Sequence, residues 1–184
     1  MAEIRVNRAP FLTLWASVVA RRLDYAEDEA LTLGRAIAGR VAQSKGRRLG
    51  ICEPRPVAER RKVAEERAKI GAERVEVMGR LVPCVRTPSG LRALDEATPI
   101  DPEGVWRYLA GKFGGLLPEV EKRLVALATT FPTAELGARA MDLYLGVRPD
   151  VPRGEAGRGK ADMLDLEGIS KLAADLRGQE GRSV

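Results

Sequence analysis

VAERRKVAEERAKIGAERVEVMGRLVPCVRTPSGLRAL, residues 57–94, decides the fold. Its first half, Val57 to Ile70, is rich in Ala, Glu, Lys and Arg, the residues that best tolerate helical geometry. Gly71 stops that helix. The period then changes to two: Arg74 to Met78 alternates, Gly79-Arg80 turns, and Leu81 to Arg86 runs on. Pro88-Ser89-Gly90 turns again before Leu91 to Leu94. This pattern predicts a small antiparallel β-ribbon following a helix. Pro83 cannot donate to a ladder, so its strand is expected at an edge. In the helix, only Val57, Val63 and Ile70 are large aliphatics, and they predict a narrow anchoring stripe with most of the surface outward.

On either side of this stretch the pattern is helical. Pro10 suits a first helical turn. Phe11, Leu12, Leu14, Trp15, Val18, Val19 and Leu23 cover most of the circumference of a helix over 10–23, which is expected to lie centrally buried. A second helix is predicted over 27–44, its acidic start Glu27, Asp28 and Glu29 matching the dipole. Asp28, Thr32, Arg35, Gly39 and Gln43 share its polar face. The segment Lys45 to Arg55 is read as an irregular basic connection. Beyond the ribbon, Asp101-Pro102 signals a capped helix start. Pro118 opens a further helix, Thr133 is expected to cap another, and Asp165 caps a last one through Leu176. Trp15 and Trp106 stand among aliphatics at helical spacing and are expected in the core.

The fold class expected is therefore mostly α: a helical N-terminal part, a ribbon near residues 74–94, and a helical C-terminal part. Three regions follow: a basic helical part with the ribbon at 1–94, a helical bundle at 95–149, and a Gly/Pro/basic loop with a terminal helix at 150–184. The order of helices and ribbon resembles that of a winged helix in its first half. The connection from Ser44 to Val57 is far longer than the turn of a helix-turn-helix, so the resemblance is one of element order only.

Composition limits the chemistry. The chain of 184 residues has no histidine, which removes Ser-His-Asp and Cys-His activation and histidine metal ligation together. The two cysteines, Cys52 and Cys84, form neither a disulfide framework nor a zinc pattern. Gly154 to Lys160 matches most of a phosphate-cradling loop. Ala161 lacks the hydroxyl that the loop needs for magnesium, and no strand precedes it. Glu65-Glu66 and Asp95-Glu96 are adjacent pairs that do not face one another on a helix. No catalytic motif is recognisable and no cofactor or metal is expected; an enzyme using carboxylates or lysine in a cleft is a third, lesser option. The apolar run Ala9 to Ala20 is too short to span a bilayer and is followed at once by Arg21-Arg22, so a cytoplasmic protein without a membrane is expected.

The charge is uneven. Of a net +5, the block Arg35 to Lys69 carries 11 basic residues against 4 acidic ones. Such a block attracts polyanions, because each neutralised phosphate releases condensed counterions. The leading expectation is a non-enzymatic nucleic-acid-binding protein, duplex DNA being the expected form, held through phosphates by Arg47, Arg48, Arg60, Arg61 and Lys62, with Lys45 and Arg67. Arg153, Arg158 and Lys160 would supply secondary phosphate contacts. The alternative is an interaction or scaffold component with an acidic protein partner. A homo-oligomer is compatible with both.

Overall fold

The computed structural model describes residues 4–150 and 161–180. Its elements run β1 (Arg5–Val6), α1 (Arg8–Arg22), α2 (Glu27–Arg48), α3 (Val57–Lys69), β2 (Glu73–Val77), β3 (Arg80–Thr87), β4 (Gly90–Asp95), β5 (Thr98–Pro99), α4 (Pro102–Phe113), α5 (Leu117–Ala128), α6 (Thr133–Val147), β6 (Asp162–Met163) and α7 (Leu166–Glu180). The mostly helical architecture with a small ribbon is as the sequence reads.

Helix α1 is apolar around its whole circumference and can only be stable inside the protein. Every residue from Pro10 to Ala20 is buried. It packs on α2, α4, α5 and α6, and the Trp15 indole donates to the Ala140 carbonyl at 2.8 Å. Its two buried hydroxyls turn back on their own helix: Thr13 donates to Ala9 O and Ser17 to Thr13 O. That leaves nothing unsatisfied where Gly34 of α2 presses against them. One hydrophobic core runs from Ile4 and Val6 through these helices and the inner face of the sheet to Ile169 and Ala173.

Helix α2 attaches the sheet. Glu29 bridges two elements: one carboxylate oxygen accepts from Ala26 N–H at the helix start, the other from Leu91 N–H of β4 at 2.9 Å. One turn later, Thr32 accepts from Ala93 N–H at 3.0 Å. The start of the predicted polar face, Asp28 and Thr32, thus lies on the seam to β4, whereas Arg35, Gly39 and Gln43 lie beyond it. The sheet order is β2-β3-β4-β5, antiparallel throughout.

Several expectations need correction. Helix α2 continues through Arg48, so Lys45, Arg47 and Arg48 sit on its last turn and not on a loose connection. Cations there complement the carboxyl end of the dipole, and Gly50, at φ +68°, makes the left-handed stop. The supposed anchors of α3 do not anchor: Val57 is 70% exposed and Ile70 42%. No residue of α3 is buried. The strand holding Pro83 is an inner one, but its register with β4 ends at Cys84, so the proline lies where β4 has left β3 to pair with β5. The short strands β1, β5 and β6 went unread. Trp106 is 41% exposed, and Thr133 is the first helical residue after Pro132, without capping. Asp101 and Asp165 do cap, accepting from Gly104 N–H and Gly168 N–H respectively.

A methyl group on Gly34 would lie 2.3 Å from Ser17 Oγ and 2.4 Å from the Thr13 carbonyl oxygen. Helix backbone cannot yield there without moving α1. Gly34→Ala is expected to lower the unfolding free energy by about 2–3 kcal/mol in a denaturant titration. Gly39→Ala, on the same helix with nothing within 4 Å, should be neutral or stabilising by up to about 1 kcal/mol. Equal effects of the two substitutions would contradict this packing.

Candidate polyanion-binding groove

Beyond its seam with β4, α2 overhangs the sheet, and α3 stands opposite it. Between them lies a groove of about 860 Å³, closed at one end by β4 and β5. Helical spacing selects its walls. On α2, Ala36, Arg40, Gln43 and Arg47 recur at intervals of three or four, joined by Arg35, Gly39 and Ser44. On α3, Arg60, Val63 and Arg67 fall on one face. Arg55 enters from the connection and Arg80 from β3, while Leu94, Pro99 and Ile100 give a small apolar surface.

Seven arginines and two carboxylates, Asp95 and Glu96, line this space. Glu96 is the tether of α3: it pairs with Arg55, and its carbonyl accepts from Arg67 Nε. Among the described residues, Arg35, Arg40, Arg47, Arg60 and Arg80 form no ion pair with a carboxylate. Arg35 instead stacks on the Tyr108 ring, its guanidinium carbon 4.5 Å from the centroid. Burial lowers the Arg40 pKa from its ordinary value, and the neighbouring charges of Arg74 and Arg80 lower it further. Arg67 is lowered in the same way, by burial first and then by Arg40 and Arg74, with Glu96 opposing. A guanidinium stays charged regardless. The shifts therefore register burial first and, second to it, the crowding of positive charge.

The sequence-selected residues divide. Arg47, Arg60 and Arg67 come together in the groove. Arg48, Arg61 and Lys62 are exposed elsewhere and line none of it. Lys45 belongs to a second basic group: after burial, the charges of Arg8, Arg148 and Arg48 lower its pKa. Arg153, Arg158 and Lys160 lie outside the described residues. Sequence reasoning passed over Arg35, Arg40, Arg55 and Arg80 as site residues. The seven-residue interval from Arg40 to Arg47 was a usable signal once α2 is carried to Arg48. Nothing local marks Arg80, which arrives through sheet pairing.

The Cys84 thiol does not suit nucleophilic chemistry. Burial, with Glu73 nearby, pushes the Cys84 thiol up to about 12, so it stays protonated near neutrality. Among the described residues no cluster of three or more metal-ligating side chains occurs, and no helix is long and apolar enough to cross a membrane. Comparison with protein-family models, curated proteins and solved structures finds no match. The groove must be understood from its own geometry.

Cys52 is exposed and Cys84 buried. An aromatic disulfide reagent at pH 8 should release one equivalent of thiolate rapidly from native protein and a second only in denaturant. Rapid modification of both in native protein would show that the Cys84 strand opens far more readily than this packing permits.

Proposed function

We propose that the chain is a non-enzymatic nucleic-acid-binding protein that holds the phosphate backbone in the groove between α2 and α3. The observation that carries this is the convergence of five arginines without carboxylate partners on one concavity. Like charges held together destabilise the free protein, and a polyanion relieves them while releasing counterions. Arginine offers two parallel N–H donors to a phosphate, so adjacent guanidiniums grip successive phosphates with defined geometry. No aromatic ring lines the groove to stack on bases, and in this reading its arginines are engaged with phosphates. Affinity with weak sequence preference is the consequence. The winged-helix comparison gains no support from α3: its groove-side arginines, Arg60 and Arg67, turn toward α2.

A second reading has one observation in its favour. Leu49, Ile51 and Val57 are 43%, 56% and 70% exposed beside the basic residues. Aliphatic surface next to cations suits an acidic protein partner better than it suits phosphate.

Binding of a short random duplex, followed by fluorescence anisotropy across a salt series, tests the proposal. Replacing Arg40, Arg47, Arg60 and Arg80 by Ala should flatten the slope of log K against log salt by roughly 3.6, at about 0.9 per lost phosphate contact. Replacing Arg48, Lys62 and Lys69, exposed cations off the groove, should change it by less than about 1. Equal effects would make the attraction a property of net charge alone. If no duplex or single strand binds at low salt while polyglutamate does, the acidic-partner reading takes over.

A further inference from the structure

Helix α3 has 13 residues, none buried. A helix of this length is marginal in water without a packed face. Its groove side is tied to Glu96 through Arg67. Its far side carries Ala58, Arg61, Lys62, Glu65, Ala68 and Lys69, with Val57 and Ala64 on its flank, all exposed. Ala58, Arg61, Glu65 and Ala68 repeat at intervals of three, four and three, the spacing of a coiled-coil seam. Val57 and Ala64 border that seam on one edge.

Three charge pairs around Val63 form an inverted palindrome, outside which Lys62 and Lys69 stand. Glu59 mirrors Arg67, Arg60 mirrors Glu66, and Arg61 mirrors Glu65. We propose that the outer face of α3 pairs antiparallel with the same face of a second copy of the chain, about a two-fold axis at the level of Val63. In that arrangement each residue stands level with the one equally far beyond Val63 on the other helix. Within the seam this sets Ala58 against Ala68 of the second copy and Arg61 against its Glu65, twice over by symmetry. The alanines permit close approach of the two backbones. A parallel pairing would place Arg61 against Arg61 and Glu65 against Glu65, so the charges also fix direction. Lys62 and Lys69 lie at the rim, where solvent screens them. A nucleic acid is the poorer occupant of this face, since Glu65 at its centre would meet the phosphates. The pairing leaves Arg60, Val63 and Arg67 free on the other side, and it does not depend on what fills the groove.

Sedimentation equilibrium over a concentration series tests it. The unmodified chain should show a reversible monomer–dimer equilibrium. Arg61→Glu and Glu65→Arg, each made alone, set like charges across the seam and should raise the dimer Kd by about tenfold or more. The double variant restores opposite pairing and should return the Kd to near its original value. Circular dichroism matching the unmodified chain confirms that each variant is folded. A monomer at every soluble concentration overturns the proposal. So does a dimer indifferent to the single exchanges, or one that the double exchange fails to restore.

Discussion

The contact of Gly34 with Thr13 and Ser17 sets the position of α2 against α1, and the rest of the molecule takes its place from it. With α1 enclosed by apolar neighbours, α2 packs both on helices α1 and α4 and on strands β3 and β4 of the sheet. A single turn, Glu29 to Thr32, carries the two side-chain acceptors that fix β4. The remaining length of α2 projects past the sheet and supplies the long wall of the groove. Were α2 displaced from α1 by the width of a methyl group, the β4 register and the arginine row would move with it.

Helix α3 is the counterpart of that rigid wall. It is bounded by Gly50 and Gly71, both with left-handed backbone at φ +68° and +70°, and by prolines at 54 and 56. Its tie to the body passes through Glu96, a residue itself held at positive φ. One wall of the groove is therefore core-anchored and the other is attached by a few polar contacts. A basic cleft with one firm and one lightly held wall can accept chains of differing shape, which suits a backbone ligand with little base discrimination.

Much of this was legible before the structure. The circumferential apolarity of 10–23 marked α1 as central, and Asp101 and Asp165 announced their helices through capping chemistry. The change of period at Arg74 gave the ribbon. What was missed has physical causes. The end of α2 was placed at Ser44 because the last turn has no apolar residue to mark it; the stop signal was Gly50. The aliphatics of α3 look like anchors in a one-dimensional pattern, whereas exposure is decided by whether another element lies alongside, which a single helix does not reveal. The groove was half visible. Charge density marks Arg47, Arg60 and Arg67 but does not distinguish them from Arg48 and Lys62. Arg80 reaches Arg40 only through strand pairing, a long-range fact.

Phosphate binding in the groove is the central proposal. Arginine Nε–Hε resonances of isotopically labelled protein, titrated at low salt with a short phosphodiester chain, test that directly. The groove account predicts shifts concentrated at Arg40, Arg47, Arg60 and Arg80, saturating together, with Arg107 and Arg139 unmoved. Shifts spread evenly over all arginines, or confined to the group of Arg8, Arg48 and Arg148, would contradict it.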